Sequence, residues 1–336
     1  MGYSSPYISS ALGKNVALKF IKKNQTNFED FLDELCISIR LLSYQGIIFT
    51  YSSFIDSVDH YGLIQALAPA RSLHSLIEPC VGIPEVMVNR CAIQLNKALD
   101  FMHSKDLVHR DIKPDNILLM NKECKSIKLS GFGLTQPAGT LVPAMSPIIP
   151  YMPPELCQLK VNENIALDRS VDIWALGVLL YVASTGYYPW RRALEDDPLF
   201  QRLVYWQRFV DQVPAPTHWC QFNETAQGLF HCLLSDDPKN RNLAIFNNLD
   251  FTWGVEDIPE PTEEIVVEDE FVVMGDNDHE IIVIEREEEY IVVENRGDLE
   301  YIILDDTLDE SLFPSNNITM LFFMNSPTLG SEVEIG

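Results

Sequence analysis

The sequence runs short of positive charge at its end. From Glu256 onward it holds 24 acidic and 2 basic residues, a net charge of −22, against −3 for the first 255 residues. Such a surface repels nucleic-acid phosphate and anionic lipid, which need Lys and Arg to displace counterions, so direct nucleic-acid or membrane binding is not expected. The seven cysteines, Cys36, Cys80, Cys91, Cys124, Cys157, Cys220 and Cys232, lack both metal-ligand spacing and the density of a disulfide scaffold. They read as reduced residues of an intracellular protein. Long apolar runs are missing too: the longest, around Trp174 to Ala183, is far too short to cross a bilayer. Met1 to Pro6 lacks the charged and apolar parts of a signal sequence, and Pro6 stands where an N-myristoylation motif needs Ser or Thr. A soluble, cytoplasmic protein is expected, with nuclear access open.

Against these absences, 46% of the residues are hydrophobic, enough for a large core. The most informative stretch is His109 to Asn116, which reads His-Arg-Asp-Ile-Lys-Pro-Asp-Asn. Phosphoryl transfer needs a carboxylate to orient the attacking hydroxyl, a lysine near the transferred phosphate and an amide oxygen for a metal; Asp111, Lys113 and Asn116 have those chemistries at the required spacing.

This string resembles the catalytic loop of protein kinases, and other motifs extend the likeness. Asp172-Ile173-Trp174 resembles the start of the central helix of the C-lobe, whose aspartate braces the catalytic loop. Pro153-Pro154-Glu155 stands for Ala-Pro-Glu, with Arg241 as its ion-pair partner. Val16-Ala17-Leu18-Lys19, Leu67-Ala68-Pro69-Ala70, Ala98 to His103 and Ile149-Pro150-Tyr151 are most similar to the Src-homology-3-binding-domain serine/threonine kinases. The resemblance implies an α+β, two-lobed protein-kinase-like fold over residues 1–255, with an N-lobe to about 68 and a C-lobe from about 69. The N-lobe is reduced, and residues 256–336 form an acidic tail of short β-like runs or disorder.

The resemblance also implies ATP and Mg²⁺ as cofactors. Lys19, in the alternating run Val16 to Ile21, would pair the phosphates. Glu34, on a helix with apolar spacing from Phe28 to Leu42, would hold that lysine. Ile47 to Phe54 and Tyr61 to Ala66 suit further strands, and Gln65, Ala66, Leu67 and Ala68 would form the hinge for adenine, with Gln65 as gatekeeper. Asn116 would hold the metal.

Four features depart from the family pattern. Only Gly2 and Gly13 precede Lys19, so no Gly-x-Gly-x-x-Gly roof is present. Arg71 and Ser72 replace a Gly-Asp pair after the hinge. Gly131-Phe132-Gly133 replaces Asp-Phe-Gly, removing the principal metal-bridging carboxylate. Ile148 replaces a threonine that bonds the catalytic aspartate. Thr135, Thr140 and Ser146 are candidate phosphosites for Arg110 to clasp. The expected function is a catalytically impaired, pseudokinase-type scaffold for a protein partner; the alternative is an active or weakly active serine/threonine kinase.

In the tail, Ile265-Val266-Val267, Phe271 to Met274, Ile281 to Ile284, Tyr290 to Val293 and Tyr301 to Leu304 form an irregular array of apolar runs flanked by Glu and Asp. Such runs resemble motifs that bind the small ubiquitin-like modifier SUMO by strand addition. A small acidic β-meander packed on itself or on the domain is the other reading.

Overall fold

The computed structural model describes residues 7–9, 16–143 and 150–248, with short tail strands at 272–273, 286–287, 290–293, 300–303 and 319–322. Its N-terminal lobe is built on an antiparallel sheet of Tyr7–Ser9 (β1), Val16–Lys22 (β2), Thr50–Asp56 (β3) and His60–Ala66 (β4), ordered β1-β2-β4-β3. β2 and β4 pair along their whole length, from Val16 opposite Ala66 to Lys22 opposite His60. The helix Phe28–Arg40 (α1) starts where the Asn27 side chain accepts from the Asp30 amide, and Glu29 and Asp30 favour the positive end of its dipole. Its apolar stripe seats Phe31 and Leu35 on Phe54 and Leu63 of the sheet, and Phe31 stacks on Tyr61 at 4.8 Å.

The run Ile47 to Phe54 was expected to be one strand, but β3 begins only at Thr50. Ile47 and Ile48 are instead buried against the C-terminal lobe, where the Ile48 amide donates to Leu129 O and the Leu129 amide to Gly46 O. Apolar β-branched residues signal burial, and here the buried surface belongs to the other lobe.

The C-terminal lobe is mainly helical. Glu85–Ser104 (α2) leads into Leu107–Val108 (β5), the catalytic-loop segment, and a hairpin of Ile117–Leu119 (β6) and Ile127–Leu129 (β7). Four more helices follow: Pro154–Cys157 (α3), Ser170–Thr185 (α4), Pro198–Arg208 (α5) and Glu224–Leu233 (α6). All 16 residues of α4 are buried, between α2 on one side and α6 on another. Gly177 lets α6 approach: a Cβ there would lie 2.7 Å from Leu234 Cδ2. Trp174, Trp190, Tyr181, Trp219 and Phe230 fill the surrounding core.

Three tail strands overlap the apolar runs singled out in the sequence. Val272–Val273 pairs with Tyr187–Tyr188, and Tyr290–Val293 pairs with both Arg286–Glu287 and Glu300–Ile303. Thr319–Phe322, outside those runs, pairs with β3 as the outermost strand of the N-terminal sheet. The runs Ile265 to Val267 and Ile281 to Ile284, and the positions Ser146 and Ile148, lie outside the described residues. Among the described residues, no helix is long and apolar enough to cross a membrane.

Candidate active site

Two periodicities place the first pair. Lys19 projects from β2 and Glu34 from α1, and their side chains meet with Nζ 2.7 Å from Oε1. Glu34 is buried while Lys19 is about one-third exposed.

The catalytic-loop segment is held from below by one residue. Asp172, in the first turn of α4 and wholly buried, accepts from the His109 amide (2.8 Å), the Arg110 amide (2.8 Å) and His103 Nε2 (2.9 Å). Burial alone would push its pKa up, but the hydrogen bonds from His103 and the Arg110 amide outweigh this and hold it below the usual carboxylate range.

His109 joins this loop to the metal-segment position. Its Nε2 lies 2.9 Å from the Ser130 carbonyl, which can only accept, so Nε2 carries the proton. Nδ1 then accepts from the Asp111 amide at 3.1 Å. With one nitrogen donating and the other accepting, the ring is neutral, and burial lowers its pKa in the same sense. Phe132 packs edge-on to this ring at 5.3 Å.

Asp111, Lys113 and Asn116 converge. Lys113 Nζ is 3.1 Å from Asp111 Oδ1, an ion pair without a well-aligned hydrogen bond. Asn116 Nδ2 donates to Asp111 O (2.7 Å) and to Asp111 Oδ2 (2.8 Å). Burial raises the Asp111 pKa to about 7, opposed by the Asn116 hydrogen bond and the charge of Lys19. Burial also lowers the pKa of Lys113, so desolvation pushes both members of the pair toward their neutral forms.

The carboxylate that the resemblance assigns to a divalent metal is absent from these residues. Gly131 has no side-chain oxygen, and its backbone is left-handed at φ +82°. A Cβ built there would lie 2.4 Å from both Cγ and Oδ1 of Asn116. The asparagine therefore fills the volume an aspartate side chain would enter, and its amide nitrogen is committed to Asp111. Ser130 donates from its hydroxyl to Asn116 O (3.0 Å), so that hydroxyl is also engaged. Among the described residues, no group of three or more His, Cys, Asp or Glu residues could hold a metal ion.

The residues expected to form the hinge lie at the end of β4. Gln65, buried, donates from Nε2 to Thr50 Oγ1 at 3.0 Å, and the Ala66 amide donates to Phe49 O. Leu67 and Ala68 follow outside the strand, and Ala68 O accepts from the Arg71 amide at 3.2 Å. Arg71 itself has φ 64°, in the left-handed region.

Thr135 does not suit a phosphosite in this conformation. It is 2% exposed, with its hydroxyl turned to the His109 carbonyl at 3.5 Å, because the short turn Phe132–Leu134 carries it under the loop. Thr140 is half-buried. Arg110 Nη1 donates to Leu134 O. Sequence reasoning missed the bridging role of His109 and the hydroxyl of Ser130. The first is spelled out in the motif, but its partner is a backbone carbonyl, which no side-chain pattern reveals.

Farther down, Arg241 meets Glu155 through two parallel hydrogen bonds of 2.7 and 2.8 Å and lies over the Trp174 ring at 4.7 Å.

The family model for the protein kinase domain matches residues 3–248. Serine/threonine-protein kinase SBK1 of Mus musculus is 42% identical over 233 residues, which is 69% of this chain and 55% of the relative. SBK1 of Danio rerio is 39% identical over 243 residues, 72% of this chain and 63% of the relative. Serine/threonine-protein kinase SBK2 of Homo sapiens is 37% identical over 245 residues, 72% and 70% respectively. The chain thus spans less than two thirds of the length of the two SBK1 relatives.

Proposed function

Since the chain belongs to the protein kinase family and is related to the SBK serine/threonine kinases, we propose that it acts chiefly as a pseudokinase scaffold whose cleft takes ATP without magnesium. One observation carries this reading: Asn116 occupies the space of the missing carboxylate at Gly131 while its amide is bound to Asp111. The family works with ATP and Mg²⁺, and loss of one preorganised electrostatic group commonly costs about 10²–10³ in rate. A protein substrate or partner is the expected ligand of such a domain. The seven free cysteines suit a reducing, cytoplasmic setting.

The test is a thermal-shift titration. ATP with and without Mg²⁺ is expected to raise the melting temperature by amounts that agree within about 1 °C, since a ligand stabilises only through its affinity for the folded state. Gly131→Asp adds the informative arm. Without ligand it is expected to lose about 1–3 kcal/mol, the usual range for overpacking, because Asn116 must release Asp111 to admit the new side chain. With ATP it is expected to gain a magnesium-dependent increment that the parent lacks. A large Mg²⁺-dependent shift in the parent chain would sink the reading.

A second reading, residual serine/threonine kinase activity, is favoured by the assembled Lys19–Glu34 pair, the buried Phe132 and the loop braced on Asp172. Transfer of labelled phosphate that disappears in Asp111→Ala would support it.

For the tail, we propose strand addition to a SUMO-class partner, competing with pairing inside the chain. The support is an array of apolar runs with acidic flanks, three of which contain strands. A strand edge paired in cis must be released before it can pair in trans. Linked modifiers are therefore expected to bind the full chain much more tightly than a single modifier, through effective concentration, and to bind less as salt rises. Equal affinity for single and linked forms, or affinity that rises with salt, would refute it.

A further inference from the structure

The last stretch of the tail differs from the rest of it. Residues 311–331 contain no Asp, Glu, Lys, Arg or His, although the tail as a whole carries a net charge of −22. Inside this stretch the apolar run Ile318 to Met324 follows Asn317, whereas each of the five earlier runs follows directly on a Glu. Its described part, Thr319–Phe322, lies antiparallel to β3, with Thr319 opposite Asp56, Met320 opposite Ile55, Leu321 opposite Phe54 and Phe322 opposite Ser53. Earlier in the tail, Val272–Val273 pairs with Tyr187–Tyr188 of the C-terminal lobe. Main-chain pairing therefore joins the tail to both lobes, on either side of residues 274–318.

The geometry of β3 shows which groups this edge offers. Successive amides of a strand point to opposite sides, and the Ser57 amide donates to His60 O (3.0 Å) at the turn into β4. Alternation then sends the Ile55 amide toward β4, where Ile55 stands opposite Gly62, and the amides of Phe54 and Asp56 outward. Phe54 and Asp56 are the positions that Leu321 and Thr319 face. Without a partner these groups would form an open edge, which recruits strands from other molecules. Charge selects the occupant. The Asp56 carboxylate, 2.6 Å from Lys23 Nζ, already stands at this edge, and a second carboxylate directly opposite would repel it. Thr319 brings none.

We propose that the outer edge of β3 is a strand-binding site whose ligand is the chain's own uncharged segment Thr319–Phe322, so that the tail is a strap fastened to both lobes and not a free acidic end. Four paired residues are too few to hold a separate peptide firmly, because ordering each of them costs backbone freedom. On the same chain the segment arrives at a high effective concentration, and the cost of closing so long a connection grows only slowly with its length. The strap covers the sheet edge that would otherwise invite a second molecule. It also ties the N-terminal sheet to the tail, so that whatever draws the tail away from the domain uncovers the Phe54 and Asp56 amides.

The experiment follows amide hydrogen exchange residue by residue in the full chain, at a low and a high protein concentration. Phe54 and Asp56 are expected to exchange at least about 10-fold more slowly than in Leu321→Pro, whose ring removes the donor opposite Phe54. Ile55, bonded to β4, is expected to exchange alike in both chains. Exchange of the Phe54 and Asp56 amides in the parent at the rate of unbonded amides would overturn the proposal. Protection that rises with protein concentration, accompanied by a dimer in light scattering, would overturn it too, because the strand would then come from a second copy. Both of those results are read on the unaltered chain, so the test stands even if the proline variant folds poorly.

Discussion

Arg241→Ala is expected to lose about 3–5 kcal/mol of folding stability, the range for removing one partner of a buried ion pair. The arginine side chain is wholly buried and the Glu155 side chain only 18% exposed, so the deserted carboxylate would keep little water. More is lost than the ion pair. Arg241 Nε donates to Ser235 O at 2.8 Å, and the guanidinium covers the face of Trp174. The pair Arg208–Asp236 makes a matched control: it has a similar 2.8 Å contact, but its side chains are 65% and 35% exposed. Arg208→Ala is expected to lose no more than about 1 kcal/mol, as exposed pairs do. Urea unfolding of the two variants measures both, and equal losses would show that burial is not what makes the Arg241 pair matter.

Asp111→Asn is expected to become progressively more stable than the parent as pH rises, with the gap widening by about 2–3 kcal/mol between pH 5 and pH 8. The folded-state pKa of Asp111 is raised to about 7, chiefly by burial. An unfolded aspartate releases its proton near pH 4, so from there to about pH 7 the folded chain holds a proton that the unfolded chain has lost. Stability from this group is fully present below the unfolded pKa and is lost as pH rises through the folded one. Asparagine cannot titrate, which removes the slope. The Lys113 ion pair forms only once Asp111 ionises, so its worth is already contained in the folded-state pKa and its absence from the variant adds no separate pH dependence. Parallel stability curves for the two chains would mean that Asp111 ionises normally in the folded state.

The sequence made some of this arrangement readable because two kinds of pattern report position directly. Alternation in Val16 to Ile21 and helical spacing from Phe28 identified the elements on which Lys19 and Glu34 sit, and the eight-residue loop placed Asp111, Lys113 and Asn116 within a few residues of one another. Asp172 and Arg241 are different: their partners lie 62 to 69 and 86 residues away, and only the likeness to kinases suggested the pairings. What stayed hidden depends on which surface comes to meet a residue. Ile47 and Ile48 read as strand because they are apolar and β-branched, yet they are buried by the other lobe. Thr135 read as an exposed hydroxyl, and one tight turn buries it. Nor does any spacing rule show that the Asn116 side chain fills the space beside Gly131.

The complete burial of α4 has a consequence for how the chain must be made. A helix with one solvent-facing side can rest on a half-finished lobe, but Ser170–Thr185 has no such side. Leu233 and Leu234, against which Gly177 packs, are synthesised more than fifty residues later. Until they leave the ribosome, the nascent lobe displays an apolar helix covered on its α2 side but bare where α6 will pack, the kind of surface that aggregates or engages chaperones. Truncations that end before α6 should therefore depend on chaperones for solubility far more than chains that include it.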